Sequence, residues 1–277
     1  MDLGTNSPLR TLSIYTCLTY VVSWTSWGIW GLTSSGASPL GTVLFVVGGL
    51  GPFAAGAILT QRSDRQLRSW LANIFRMRVQ IRYYLVALVL PIIAILVAGT
   101  VHSIVFDGRV SLETLPETYE YPLFLGFIVL FGGGLEEPGW RGYLLPQLQQ
   151  RYSALVAALL VGIVWAGWHL PLFVLPGTIQ SEVSLVLYTS QMIAMSVVLT
   201  WVTNAARGSV VPAILLHAGG NAVLNYYPIG GVAGAISTLG LSLLVATLAG
   251  IACLLIVLYG PNDLAPEGPS SAQGTVD

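Results

Sequence analysis

Residues 124–148 read FLGFIVLFGGGLEEPGWRGYLLPQL and place two adjacent carboxylates, Glu136 and Glu137, in a segment otherwise apolar enough for a lipid bilayer. Arg141 follows four residues after Glu137. A charge at membrane depth is costly, so such residues usually pair, face the interior of a helical bundle and serve a function. One helical turn separates Glu137 from Arg141, which predicts a buried ion pair on one helix face. The stretch therefore predicts a functional site within a membrane-spanning bundle.

The composition of the whole chain is that of a polytopic membrane protein. Of the 277 residues, 55% are hydrophobic and only 8% are charged, whereas soluble domains carry roughly 25% charged residues. The formal net charge is -1, so nothing in the charge balance favours nucleic-acid binding. Cys17 and Cys253 both lie in apolar segments, where they are expected to pack as small hydrophobic residues rather than to form a disulfide.

The hydropathy pattern predicts an all-α fold with about eight transmembrane helices around an intramembrane polar cavity. A span needs about 20 apolar residues, and the segments that qualify are 12–32, 41–61, 83–106, 121–150, 153–175, 183–204, 210–227 and 231–259. We expect one domain over residues 1–260. The connection 62–82 is predicted to be an interfacial amphipathic helix, and the polar residues 261–277 a disordered cytoplasmic tail.

The basic residues predict the orientation in the membrane. All eleven are Arg, a usage typical of GC-rich bacterial genomes, so we expect a bacterial cytoplasmic membrane. With eight helices, every Arg except Arg109 falls on one side. By the positive-inside rule both termini are then cytoplasmic.

Helix geometry predicts that the polar residues meet at one depth. Glu136 lies 16 residues before Tyr152, and His169 lies 17 residues after it, so the two arms of an antiparallel hairpin bring them to nearly equal depth. His217 lies ten residues beyond Arg207, or about 15 Å along a helix, which is shallower than the about 24 Å of Glu136 and His169. A kink at Pro138 and Gly139 can close this gap. The expected site therefore combines two carboxylates, two imidazoles and the carboxamide of the residue one turn after His217.

These side chains suit the hydrolysis of a peptide bond. Glu136 can act as the general base for a water molecule, and His169 can orient that water or share its proton. His217 and Asn221 are donors suited to a developing oxyanion. Alternatively, Glu136, His169 and His217 can bind zinc with one position open for water. The sequence contains no HExxH, which excludes the ordinary zincin arrangement.

Three motifs resemble the CAAX prenyl endopeptidase and bacteriocin-processing (CPBP, or Abi) intramembrane proteases. They are EEPGWR at 136–141, WAGWH at 165–169 and HAGGN at 217–221, and they match EExxxR, F/WxxxH and HxxxN. The resemblance covers approximately residues 121–227. It implies an eight-helix, glutamate-dependent protease whose site consists of Glu136, Glu137, His169, His217 and Asn221, with Arg141 and Trp165 in support. It also implies a peptide or protein substrate, lipid-modified or membrane-bound, within the bilayer.

Other functions remain open from the sequence. The acidic pair and Arg141 can be a structural ion-pair network that only fixes helix packing. A proton-coupled transporter can use Glu136 and His169 as a relay, although no inverted repeat is evident. A catalytically silent immunity or adaptor protein that binds a membrane peptide is the third alternative.

Overall fold

The computed structural model describes residues 8–33, 38–62, 66–111, 113 and 115–266, and in these ranges the chain is helical and contains no β-strand. The predicted all-α class is thus confirmed. The helices are α1 Pro8–Thr33, α2 Pro39–Gly49, α3 Gly51–Arg62, α4 Leu67–Ile74, α5 Ile81–Val105, α6 Tyr121–Phe131, α7 Glu137–Gly139, α8 Leu145–Gln149, α9 Ala154–Trp168, α10 Leu185–Ala205, α11 Val211–Ala222, α12 Gly231–Ile236 and α13 Thr238–Asp263.

The prediction of a multi-pass membrane protein is confirmed. The predicted number of eight spans is not confirmed. Among the described residues, the helical stretches long and apolar enough to cross a bilayer are α5, α10, α13 and the interrupted stretch Thr118–Gln149. The pair α2 and α3, bent by 51°, adds a fifth span if the two count as one. Two of the other predicted spans contain α-helices shorter than the span. In 153–175 the α-helix is α9, and in 210–227 it is α11. The 15 residues of α9 reach about 23 Å, less than the roughly 30 Å of a hydrocarbon core.

The predicted span 121–150 is interrupted at its glycines. Helix α6 ends at Phe131, and Gly133 adopts a φ of 122°, a conformation that glycine enters without steric cost. A 3-10 turn at Gly134–Glu136, the short α7, a π-helical turn at Trp140–Leu144 and α8 then follow. Pro138 lies in the first turn of α7, where its missing N–H costs no hydrogen bond. The acidic pair therefore lies at a helix break and not within a continuous span.

Packing brings this broken segment together with α9 and α11. Helix α10 packs against α9 and α13, while α11 packs against α5 and α6. A Cβ on Gly139 would collide with the backbone carbonyl of Pro52, so a glycine there lets α7 approach α3 closely. Trp140 and Trp168 are completely or almost completely buried in an edge-to-face pair with centroids 6.0 Å apart. These contacts fix the segment that carries the carboxylates against the end of α9.

The connection 62–82 contains less helix than predicted, and hydrogen bonds attach it to the bundle. Of its described residues, only α4 is helical before α5 begins at Ile81. The indole N–H of Trp70 donates to the carbonyl of Gly142 at 2.9 Å, and Nη2 of Arg76 donates to the carbonyls of Ala206 and Arg207. The apolar side of α4 therefore packs on protein, because Ile74 is buried against Val210 and Ile214.

Helix α13 extends beyond the predicted domain boundary at residue 260, and both cysteines lie on the helix surface. Helix α13 continues to Asp263, whose carbonyl accepts a hydrogen bond from Asn204 at 2.8 Å. From residue 267 onward, the predicted tail lies outside the described residues. Cys17 and Cys253 are both free and exposed on the helix surface. Arg141, which the topology prediction counted with the cytoplasmic arginines, is fully buried inside the bundle.

Candidate active site

Glu137 is the centre of a buried ionic cluster. The carboxylate is fully buried and pairs with Arg141, with Nη1 3.1 Å from Oε2. Its Oε1 lies 2.7 Å from Nδ1 of His217. Arg141 in turn stacks over the ring of Trp165, 4.8 Å from the centroid. The predicted i,i+4 ion pair is present, and His217 joins it from a helix 80 positions away.

Glu136 has a different environment from its neighbour. The indole N–H of Trp165 donates to Oε2 of Glu136 at 2.7 Å. Glu136 is 7% exposed and lines a cavity, whereas Glu137 is 0% exposed. The two side chains diverge because Glu136 ends the 3-10 turn and Glu137 begins α7. One carboxylate is thus enclosed with cations, and the other reaches the cavity.

His169 is oriented by the helix that precedes it. It is the C-terminal cap of α9, and its Nδ1 lies 2.9 Å from the carbonyl of Trp165. Since a carbonyl only accepts, Nδ1 carries a proton there and Nε2 of the neutral ring is an acceptor. The ring packs edge-on against Trp168 and Tyr188, with centroids 4.6 and 5.2 Å away.

His217 and Asn221 converge next to Gly133. A methyl group built on Gly133 would lie 2.7 Å from Nε2 of His217 and 3.2 Å from Nδ2 of Asn221. Nδ2 of Asn221 also donates to the carbonyl of Gly132 at 2.9 Å, which leaves its second N–H. The missing Cβ of Gly133 therefore lets the side chains of His217 and Asn221 pack close to its Cα.

A cavity of about 590 Å³ connects these groups. Glu136, His169, His217 and Asn221 all line it, as do Gln180, Gln191 and Asn225. Most other lining side chains are apolar or aromatic, and among the described lining residues there is no Arg or Lys. An apolar chamber with one polar wall matches the predicted intramembrane cavity.

The residues proposed for zinc do not form a ligand set. Across the described ranges, no group of three or more His, Cys, Asp or Glu side chains is arranged to hold a metal ion. Nδ1 of His169 and Nδ1 of His217 already bond the Trp165 carbonyl and Glu137, respectively. The zinc alternative gains no support from this geometry.

Three residues contribute more than the sequence indicated. Gly133 lies outside the three motifs, although the GGG run at 132–134 is itself a signal for a helix break. Trp165 matched a motif, but its hydrogen bond to Glu136 has no signature in the spacing. Tyr188 packs on His169 and lines the cavity from α10, and nothing in its local sequence marks it.

Comparison with known proteins places these motifs in a family context. Residues 118–223 match the family described as Type II CAAX prenyl endopeptidase Rce1-like, and this range contains all three motifs. The chain is 27% identical over 220 residues to CAAX prenyl protease 2 of Methanococcus maripaludis. The aligned region covers 74% of this chain and 80% of the relative. Both findings confirm the resemblance to CPBP proteases and support an intramembrane endopeptidase of the CAAX type.

Proposed function

We propose that this CAAX-protease-like chain is an intramembrane endopeptidase that uses Glu136 to activate the attacking water. The observation that carries the proposal is the unequal environment of the two adjacent carboxylates. Glu137 is enclosed by Arg141 and His217, so it has a structural and orienting role. Glu136 lies at the surface of the cavity, where the indole N–H of Trp165 donates to its Oε2. Of the pair, Glu136 is the one that can exchange a proton with a bound water.

The water is placed between Glu136 and His169. Nε2 of His169 is an acceptor because Nδ1 donates to the Trp165 carbonyl, so Nε2 can accept one hydrogen of the water. Glu136 removes the other proton as the hydroxide attacks the carbonyl carbon of the substrate. The same carboxyl group then gives this proton to the leaving amine, which regenerates the carboxylate.

The oxyanion is held by His217 and Asn221, which line the cavity together with Glu136. Donors aimed at the developing charge stabilise a tetrahedral intermediate. Nε2 of His217 and Nδ2 of Asn221 converge on the same side of Gly133, 2.7 and 3.2 Å from the position that its Cβ would take. Because Nδ1 of His217 faces Glu137, Nε2 donates only when the ring carries both protons. In that state the negative charges of Glu136 and Glu137 are balanced by the positive charges of Arg141 and His217.

The largely apolar cavity supports a substrate that reaches the site within the membrane. The cavity walls are largely apolar, and the curated relative is named a CAAX prenyl protease. A peptide or protein that is lipid-modified or membrane-bound fits this chamber. The use of Arg for every basic residue favours a bacterial cytoplasmic membrane, and on a count of eight spans the arginine distribution favours cytoplasmic termini. No step of this mechanism uses a metal ion.

The proposal is tested by comparing new protein N-termini in membranes that contain the wild type, Glu136→Gln or Glu182→Gln. Glu182 is an exposed carboxylate just before α10 and serves as the matched control. Cleavage products should appear with the wild type and Glu182→Gln and be absent with Glu136→Gln. Identical N-termini from all three, at equal protein abundance, would instead support the transporter or the silent adaptor.

A further inference from the structure

A basic face lies on the side of the bundle where α5 begins. It consists of four exposed arginines, Arg76, Arg78, Arg82 and Arg207. The first and last of them meet, because Nη2 of Arg76 donates to the carbonyls of Ala206 and Arg207, each at 3.0 Å. Within the described ranges, none of the four forms an ion pair with a carboxylate. The described part of the protein therefore leaves the positive charge of this face uncompensated.

Side-chain contacts hold the basic face in a defined shape. The hydroxyl of Tyr84 donates to the carbonyl of Met77 at 2.9 Å, which ties the start of α5 to the connection before it. The guanidinium of Arg82 lies over the ring of Tyr83, 4.8 Å from its centroid, and also donates to the Tyr83 hydroxyl at 2.9 Å. The arginines are thus presented by a packed surface of the bundle.

Apolar side chains border the basic face. Met77, Ile81 and Leu85 are each more than half exposed. Ile81 and Leu85 are one helical turn apart at the start of α5, so they share one side of that helix. Since α5 is long and apolar enough to cross a bilayer, its first turn lies near the boundary between hydrocarbon and headgroups. Arginines at that level reach lipid phosphates while the apolar side chains contact acyl chains.

The inner side of the same segment contacts both parts of the chain that form the ionic cluster. The indole N–H of Trp70 donates to the carbonyl of Gly142, which lies in the π-helical turn after α7. The carbonyl of Ile74 accepts a hydrogen bond of 2.8 Å from the backbone N–H of Val210, the N-terminal cap of α11. Helix α11 carries His217. Helix α4 therefore bridges the segment that follows the acidic pair and the helix that carries the paired imidazole.

We propose that the basic face binds the headgroup of an anionic phospholipid, and that the bound lipid stabilises the contacts of α4 with the π-helical turn and with α11. The uncompensated arginines select a negative headgroup. The exposed apolar side chains beside them favour a lipid over a free phosphate. None of the four arginines lines the large cavity, so this surface is separate from the proposed active site and its test does not depend on peptidase activity.

The test measures the unfolding midpoint of the purified full-length protein in neutral detergent micelles as dioctanoyl phosphatidylglycerol is added. A ligand that binds only the folded state stabilises it as the ligand concentration rises, so the midpoint should increase. Dioctanoyl phosphatidylcholine should have a much smaller effect, and added salt should weaken the response to phosphatidylglycerol because it screens exposed charges. Equal responses to the two lipids overturn the proposal. An equal response to glycerol phosphate, which has no acyl chains, also overturns it, because the face is then a site for small anions.

Two substitutions and a control assign the response to the basic face. Arg78→Gln and Arg207→Gln each remove one charge, and neither guanidinium forms an ion pair within the described ranges. An arginine near an anionic surface contributes about fivefold in affinity, so the combined variant should need at least about tenfold more phosphatidylglycerol for the same shift. Arg109→Gln, beyond the other end of α5, should titrate like the wild type. Each shift is referred to that variant's own midpoint without lipid. A combined variant that titrates like the wild type overturns the proposal.

Hydrogen exchange tests the stabilisation of the α4 contacts. Phosphatidylglycerol should slow exchange of the Val210 amide, which bonds the Ile74 carbonyl, more than exchange in the middle of α13. This protection should be lost in the combined variant and kept in Arg109→Gln. If phosphatidylglycerol raises the unfolding midpoint but leaves exchange at Val210 unchanged, the lipid does not act through α4 and the proposal is wrong.

Discussion

Nδ1 of His217 lies 2.7 Å from Oε1 of Glu137, although the two residues are 80 positions apart in the chain. This contact joins α11 to the broken segment that follows α6, and Arg141 balances the carboxylate from its other side. The acid that holds His217 is thus not the acid proposed to activate water. The adjacent carboxylates have separate tasks, and their partners determine which task each one has.

Glu137→Gln should destabilise the protein and abolish activity. The substitution keeps the shape of the side chain but leaves the buried Arg141 without its counter-charge. Breaking a buried ion pair on one side costs about 3–5 kcal/mol, so the midpoint of thermal unfolding in detergent should fall clearly. Glu182→Gln is the control. A Glu137→Gln protein with wild-type stability would show that the cluster does not hold the bundle together.

Trp165→Phe should slow catalysis with little loss of stability. Phe keeps an aromatic ring under Arg141 and against His217 but removes the N–H that donates to Glu136. A hydrogen bond to a charged group contributes about 1.5–3 kcal/mol, so kcat should fall by roughly tenfold or more.

Trp24→Phe is the matched control for this change. It removes an indole hydrogen bond of 2.9 Å to the carbonyl of Trp168, away from the carboxylates. If both variants lose activity equally, or if Trp165→Phe retains the wild-type kcat, the contact between Trp165 and Glu136 has no catalytic role.

Gly133→Ala should inactivate the protein. The new methyl group would lie 2.7 Å from Nε2 of His217 and 3.2 Å from Nδ2 of Asn221, so the two proposed oxyanion donors would have to move. The φ of 122° adds backbone strain for any residue with a Cβ. Gly208→Ala separates the two effects, because Gly208 also has a positive φ of 84° but nothing lies within 4 Å of its Cβ position. Similar activity of the two variants would contradict the assigned oxyanion position.

Asn221→Ala should reduce kcat by about 10²–10³-fold, the usual effect of removing one oxyanion donor. Asn225→Ala is a close control, since Asn225 lines the same cavity one turn later and its Nδ2 bonds only locally, to the carbonyl of Ala222. Activity is measured on the peptide that the wild type cleaves best. A loss that appears in KM alone, with kcat unchanged, would assign Asn221 to substrate binding.

Local spacing explains what the sequence could predict of this site. Glu137 and Arg141 are one helical turn apart, and they pair as expected. His169 and Trp165 have the same spacing, which predicts neighbouring side chains. The two rings are indeed neighbours, with centroids 6.1 Å apart, but the histidine Nδ1 bonds the Trp165 carbonyl and the indole N–H donates to Glu136. Spacing along one helix predicts which residues are near each other but not which atoms they use.

The parts that sequence reasoning did not reach depend on long-range packing. The predicted count of eight spans is not confirmed, because the hydropathy of segments such as 121–150 does not reveal where the backbone leaves the helix. That break depends on Gly133, whose missing Cβ admits His217 from α11.

The most direct measurement compares single-turnover cleavage of one membrane-anchored peptide by the purified wild type and by Glu136→Gln, matched in unfolding midpoint. General-base catalysis contributes about 10²–10⁴-fold, so the rate constant for Glu136→Gln should fall by at least about 100-fold. Peptide binding should remain similar. A Glu136→Gln protein that cleaves within about threefold of the wild-type rate, far less than the loss expected for removing a general base, would contradict the central claim that Glu136 activates the water.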